Sequence, residues 1–428
     1  MPLFLTKLRP SHADPELMVD RQQEVRWLEQ RIAAYLSDRA PDKGGVITVL
    51  GAKGVGKSIV TRHALDRLHQ TYGRTAVFVA VDCRRQLSQR KVLRQLADAL
   101  HQELARMLER KTAGITKELV DTAAVVKTLA GYTRAKLSVL HENLAVFKNA
   151  SNLRIGGKLL GFLSTEFNIA ITRQEHDRRA IEGEIQLDDI SLREALIQLF
   201  HDLRAQHEQL DAVVYLDNID ELDHDACYDD AKRETIRAET LGLLDLCRAP
   251  VGLVLNMRTY YASTLLREVD DILRLDSLAP EHLRLMLEHR LAEEPPDNRR
   301  ALQVEHWVET IDELSRVAST PFVFLRWLKY LTEWGHDRRG PLGQRLAGYA
   351  GNYLANISDD VLERVAAIFD PPTRTVSRDA LLSACGGRDA VLSQLIHAQA
   401  VLPRDFWEPN EFTLDPELHY LHPALKGG

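Results

Sequence analysis

The strand-forming run Val46, Ile47, Thr48, Val49, Leu50 feeds directly into Gly51-Ala52-Lys53-Gly54-Val55-Gly56-Lys57-Ser58, and a helical pattern follows from Lys57 to about Tyr72, stopped by Gly73. The octapeptide fits GxxxxGK[ST] at every fixed position and sits in the strand-to-helix context that gives the motif its meaning. Its glycines allow backbone N–H groups to curl around an anion, and the helix start adds its positive end. Lys57 is then placed to reach the β and γ phosphates of a nucleotide, and Ser58 to offer a hydroxyl to Mg²⁺. All eight residues are therefore candidates for nucleotide binding.

The rest of the chain supplies a frame for such a loop. Apolar residues Val25, Leu28, Ile32 and Tyr35 recur at helical spacing before the first strand. Four more apolar or β-branched runs follow, Thr75 to Val81, Ala212 to Leu216, Val251 to Leu255 and Asp271 to Leu275. Helical stretches such as Arg94 to Leu108, Leu192 to Gln206 and Thr235 to Arg248 alternate with them. Short buried strands alternating with helices predict an α/β fold with a five-stranded parallel sheet. The run Val213-Val214-Tyr215-Leu216 ends in Asp217, a carboxylate that can hold a magnesium hydration shell. Ser58 and Asp217 are the candidate metal residues.

About 130 residues separate the second and third strands, far more than a crossover helix needs, so an insertion is expected at about 110–190. Ile115 to Val146 is helical in composition, whereas Gly156-Gly157 and the alternating Phe167, Ile169 and Ile171 predict a β-hairpin over Leu153 to Arg173. Lys111 to Thr165 carries eight Lys or Arg against three acids. Past Leu278 the pattern is helical, and from Ile357 three helices precede strand patterns at Val401-Leu402 and Glu411 to Leu414. The expected division is a core at 1–278 with the insertion, a helical lid at 279–356 and a winged helix at 357–428.

Composition narrows the function classes. With 55 Lys plus Arg against 62 Asp plus Glu, the net charge of −7 argues against a wholly basic nucleic-acid coat. Cys83, Cys227, Cys247 and Cys385 lack any CxxC spacing, which fits reduced thiols and a cytoplasmic protein. The longest uncharged run, Ala390 to Pro403, is too short to cross a bilayer. Met1 to Pro10 has no apolar secretory region. No zinc spacing, second phosphate loop or GxSxG elbow is present.

Together the phosphate loop, the strand ending at Asp217 and the segment Val19-Asp20-Arg21-Gln22-Gln23-Glu24 resemble the AAA+ and STAND class of P-loop ATPases, in particular its Orc/Cdc6-like branch. The resemblance spans Val19 to about Leu331, and a winged-helix tail is common in that branch. It implies ATP and Mg²⁺ as ligands, a homo-oligomer and a protein partner. It also implies that Arg21 lines the adenine pocket, although Asp20 replaces the usual glycine. Asn256 to Arg258 falls at the sensor 1 position, with either end residue able to serve. The family commonly follows its magnesium Asp with a second carboxylate that orients the hydrolytic water, but this chain has Asn218. Asp220 and Glu221 are nearby substitutes, and slow turnover is expected. Ser319-Thr320-Pro321-Phe322 departs from the family's sensor 2 pattern and leaves Arg326 as a weak replacement, while Arg267 lies where an arginine that completes a neighbour's site is often found.

The expected function is an ATPase that uses ATP·Mg²⁺ to control conformation and assembly with a partner. The excess of Arg over Lys suggests a GC-rich bacterial genome, and, by analogy with the family it resembles, a chain without a repeat sensor implies a partner protein in a bacterial defence or mobile-element system. Two alternatives stand, a DNA-binding initiator or transposition regulator and a nucleotide-stabilised scaffold without turnover. The segment from Ile357 onward has eleven acids and six bases, so its winged helix is expected to meet protein, with any anion contact left to the basic insert.

Overall fold

The computed structural model describes residues 19–37, 44–84, 88–131, 134–136, 184–186, 189–206, 210–221, 230–263, 265–302, 305–334 and 340–425. Five strands, β1 (Gly45–Gly51), β2 (Ala76–Asp82), β5 (Asp211–Asp217), β6 (Val251–Met257) and β7 (Asp271–Leu275), form one parallel sheet in the order β2-β5-β6-β1-β7. All five coincide with the runs read from sequence. β1 lies between β6 and β7, so the loop that leaves its end opens beside the ends of β5 and β6, where parallel sheets gather ligands.

Side chains alternate across this sheet because strand periodicity is two. Ile47, Val49, Val213, Tyr215 and Val254 face helices α1 (Gln22–Ser37) and α2 (Lys57–Tyr72), with Val25, Leu28, Ile32, Val60 and Ala64 packed against them. The opposite face, including Leu50, Val79, Val214 and Leu253, packs with α3 (Gln89–Glu109) and α5 (Asp189–Gln206). That second core continues without a break into the C-terminal helices and tail.

The insertion departs from its expectation. Helix α4 (Lys117–Ala130), capped by Thr116 accepting from the Leu119 N–H at 3.2 Å, ends at Gly131 rather than running to Val146. Arg134–Lys136 (β3) is extended and pairs antiparallel with Glu184–Gln186 (β4). Composition alone did not mark that switch, since Arg, Ala and Lys favour helices and the pairing is non-local. The hairpin expected over 153–173 lies outside the described residues.

Beyond β7 come helices α7 (Pro280–Ala292), α8 (Pro296–Leu302), α9 (Glu305–Val317), α10 (Pro321–Trp334) and α11 (Leu342–Tyr353), centred on the fully buried Phe324, Trp327, Leu328 and Leu346. Between β5 and β6 lies α6 (Asp230–Leu244). The tail follows the order α12 (Asp359–Ile368), β8 (Thr375–Ser377), α13 (Arg378–Ala384), α14 (Asp389–His397), β9 (Val401–Pro403) and β10 (Glu411–Leu414). Its antiparallel sheet runs β8-β10-β9. The three helices and the last two strands match the sequence reading; β8, three residues long, was not foreseen. No helix among the described residues is long and apolar enough to cross a membrane.

The tail is anchored on the loop after β6. The Phe406 N–H donates to Tyr260 O at 3.0 Å, and Trp407 Nε1 donates to Tyr261 O at 2.8 Å. The buried Tyr261 ring lies 5.0 Å from Phe406 and 4.9 Å from Trp407. Phe406→Ala should therefore cost about 3 to 5 kcal/mol, the range for truncating a buried aromatic, read as a lower urea midpoint.

Candidate functional site

The turn after β1 is shaped by close approach as well as by glycine. Gly54 and Gly56 have φ of 77° and 106°, left-handed values that a side chain resists. A Cβ on Gly54 would lie 2.1 Å from Phe322 Cβ, at the start of α10. The Phe322 N–H also donates to Gly54 O at 3.4 Å, so the first residues of this helix rest directly on the loop. Helix α2 starts at Lys57 with no side-chain cap and no acid in its first turn, leaving its N–H groups and positive end directed at the loop. Lys57 Nζ donates to Gly51 O at 2.8 Å and Ala52 O at 2.9 Å.

Behind the loop, the Asp217 carboxylate is only 2 % exposed. Ser58 Oγ donates to its Oδ1 at 2.9 Å, Asn256 Nδ2 donates to the same oxygen at 3.2 Å, and Arg62 lies 3.4 Å from Oδ2. Asn256 is itself fixed by Thr61, whose hydroxyl donates to its Oδ1 at 3.0 Å, and by Tyr215, whose hydroxyl lies 2.6 Å from Nδ2. Burial and the neighbouring Asp217 charge hold the Tyr215 phenol well above its ordinary pKa. Ser58 and Asp217 place a hydroxyl and a carboxylate oxygen side by side, hard donors of the kind Mg²⁺ takes when phosphates complete its shell. No group of three His, Cys, Asp or Glu among the described residues could hold a metal by itself.

A cavity of about 690 Å³ opens over these groups, bounded by the loop, the ends of β2 and β5, and helices α7 and α10. Of the sequence candidates, Arg21, residues Lys53 to Ser58, Asp217, Asp220 and Arg258 line it. Gly51 and Ala52 support the loop from outside it. Arg21 is buried and tied down, donating to Glu24 at 2.7 Å and to the carbonyls of Val55 and Asp276. Asp20 beside it has φ of 50°, which accounts for a glycine at that position in the resemblance and for a short polar residue here.

The structure separates the two sensor 1 candidates. Asn256 is fully buried behind Asp217 and outside the cavity, whereas Arg258 reaches it. Arg258 Nε lies 2.9 Å from Asp220 Oδ2 in a buried ion pair, and its Nη1 donates to Tyr260 Oη at 2.9 Å. Asp220 thus lines the cavity with one of its oxygens held by an arginine. The Glu221 side chain lies outside the described residues. Arg326 is outside the cavity, 3.5 Å from Glu417 and stacked on Phe322 and Tyr349. Arg267 is exposed.

Several lining residues escaped the sequence reading. Arg290 of α7 and Phe322 of α10 come from helices whose faces sequence spacing does not orient toward a distant loop. Asp82 carries a sequence signal of its own: Ala76–Asp82, like Asp211–Asp217, is an apolar strand ending in a carboxylate, and Arg84 follows two residues on. Arg84 Nε and Nη2 donate to Asp82 Oδ2 at 2.9 and 2.6 Å, and Asn218 Nδ2 donates to Oδ1 at 3.1 Å. Burial pushes the Asp82 carboxyl up, but the Arg84 and Asn218 hydrogen bonds outweigh it and hold the group below its ordinary value.

A family model described as an AAA ATPase domain matches residues 19–238. No curated protein matches the chain. Among solved structures, the ADP form of the Aeropyrum pernix ORC2 protein is 14% identical with a TM-score of 0.45, over 98% of this chain and 96% of its own. Drosophila ORC bound to DNA is 13% identical with a TM-score of 0.41, over 98% and 90%. A Pyrococcus horikoshii STAND protein with a tetratricopeptide repeat sensor is 11% identical with a TM-score of 0.33, over 95% of this chain and 42% of its own. Identities this low transfer neither a ligand nor a reaction.

The Arg258–Asp220 pair gives a test of its own. Asp220→Ala strands a buried guanidinium, so stability should fall by about 3 to 5 kcal/mol, measured by urea unfolding at constant pH.

Proposed function

Because the chain belongs to the AAA ATPase domain family, we propose that it binds ATP·Mg²⁺ in the cavity above Gly51 to Ser58, hydrolyses it slowly, and uses the exchange to change the contact between core and lid. The carrying observation is the meeting of the uncapped start of α2, Lys57 and the Ser58–Asp217 oxygen pair beneath one cavity that α7 and α10 close. Backbone N–H groups of residues 54 to 58 would cradle the phosphates, and Lys57 would leave the loop carbonyls for the β and γ oxygens. Ser58 and Asp217 would hold Mg²⁺, which neutralises charge building on the transferred phosphoryl group. Arg258, at the mouth of β6, is the sensor 1 residue of this reading, and Asn256 positions Asp217. Arg21 supports the base end from behind Val55.

The conformational part of the proposal rests on Phe322. Its backbone and side chain sit against Gly54, so a phosphate seated in the loop acts directly on the start of α10. The loop after β6 that carries Arg258 also carries Tyr260 and Tyr261, the docking point of the tail. We read the tail as a winged helix, residues 279–356 as a lid and 1–278 as the core. Its acidic balance and the buried Leu392, Leu395 and Ile396 of α14 favour packing on protein over a grip on duplex DNA. Assembly with further copies and with a partner, in a bacterial defence or mobile-element setting, belongs to the same proposal.

Lys57→Ala should abolish the rise in melting temperature that ATP·Mg²⁺ gives the wild type. Asp217→Asn should retain part of that rise while losing phosphate release. An equal shift in Lys57→Ala and wild type removes the loop from the function. Mass measurement with ADP, ATP and a slowly hydrolysed analogue tests assembly, and one mass in all three states refutes nucleotide-controlled oligomerisation.

A further inference from the structure

We propose that Asp82, at the end of β2, is the carboxylate that orients the attacking water and takes its proton, with Asn218 as the residue that positions it. The proposal rests on the reading of this cavity as a site of ATP hydrolysis. It is carried by strand register. β2 and β5 are parallel neighbours with Asp82 directly opposite Asp217, and the Cys83 N–H donates to Asp217 O at 2.8 Å. Two strand-ending carboxylates therefore stand side by side at the same edge of the sheet.

Their surroundings divide the labour between them. Asp217 is buried and committed to Ser58, Asn256 and Arg62, whereas the Asp82 side chain is 40 % exposed on the cavity wall. Asn218 follows Asp217 directly and reaches across the strand gap to Asp82 at 3.1 Å. The amide thus occupies the place next to the metal residue and holds the neighbouring strand's carboxylate toward the same space. Asp220, at the same cavity, is only 5 % exposed and has its Oδ2 paired with Arg258 at 2.9 Å, whereas Asp82 is the more open of the two.

Arg84 covers Asp82 through side-chain hydrogen bonds of 2.6 to 3.1 Å, and its backbone N–H adds one at 3.0 Å. The Arg84 side chain is 53 % exposed and lines the cavity, so a terminal phosphate can draw its guanidinium from one anion to the other. Asp82 is then uncovered when a triphosphate is present. The water oxygen forms a bond to the γ phosphorus as the bond from that phosphorus to the β–γ bridging oxygen breaks. ADP leaves with the electron pair, and the water's proton passes to Asp82 and then to solvent.

The test compares wild type with Asp82→Asn, Asp82→Glu and Glu221→Gln for ATP·Mg²⁺ affinity by equilibrium dialysis, phosphate release, and the identity of the bound nucleotide by chromatography. Asp82→Asn should lower turnover ~10² to 10⁴-fold, the usual worth of a general base. Its affinity should stay within about threefold, under 1 kcal/mol, and its bound nucleotide should be recovered as ATP. Should Asp82→Asn not fold, Asp82→Glu keeps the charge and moves it by one methylene, and should still lose at least ~10-fold in turnover at unchanged affinity. Turnover within about twofold of wild type in the Asp82 variants, or a larger loss in Glu221→Gln than in Asp82→Asn, overturns the assignment. So does a wild type that binds ATP·Mg²⁺ and releases no phosphate, an outcome that leaves nucleotide binding intact. A wild type that binds no ATP·Mg²⁺ instead overturns the function proposed above.

Discussion

A carboxylate as deeply buried as that of Asp217 survives only when hydrogen bonds replace the water it has lost, because burying an unpaired charge costs several kcal/mol. Here the replacements come from three directions: Ser58 and Arg62 on α2, Asn256 on β6, and through Asn256 also Thr61 and Tyr215. Helix α2, β5 and β6 are thereby locked at fixed spacing around one atom group. The loop between β1 and α2 has little freedom left, and its two left-handed glycines take up the turn that this spacing demands. The phosphate loop is shaped by the carboxylate behind it as much as by its own glycines.

The same geometry connects parts of the chain that are far apart in sequence. Gly54 has no side chain, and the start of α10 occupies the space a Cβ would need. Lys53, one residue earlier, lies 5.8 Å over the Phe322 ring and donates to Gln399 of the tail at 2.7 Å. The residues after β6 meet the cavity through Arg258 and the tail through Tyr260 and Tyr261. The parallel sheet, helix α10 and the tail therefore share contacts within a few residues of the phosphate loop, which is what a two-state response to a ligand requires.

What the sequence made legible was local. The five strands announce themselves because each is a short apolar run closed by turn residues, and the motif at Gly51 to Ser58 fixes its own strand and helix. Asp217 could be read because a carboxylate closes a buried strand downstream of that motif. What could not be read was placement in space. Asn256 lies within β6 and Arg258 just past its end, so the strand's alternation, which puts residues two apart on one face, does not tell that one sits behind Asp217 and the other reaches the cavity. Arg290 and Phe322 arrive through helix packing that no spacing in the chain encodes. β3 and β4 were hidden because their pairing joins segments about 50 residues apart whose own propensities are not those of strands.

Backbone conformation accounts for two of the three places where the chain departs from the pattern it otherwise resembles. Asp20 and Asn218 have φ of 50° and 57°, and such left-handed positions favour glycine or a short polar side chain that can bond locally. Asp20 stands where the resemblance has glycine, and its Oδ2 lies 2.8 Å from His282 Nδ1. Asn218 stands where the resemblance has a second carboxylate, and its amide bonds to Asp82. A glutamate at 218 would meet a left-handed backbone, whose cost for a side-chain-bearing residue is roughly 1 to 2 kcal/mol. With the position after Asp217 turned this way, its own side chain is directed across the sheet edge, and the carboxylate facing the cavity beside Asp217 belongs to the adjacent strand.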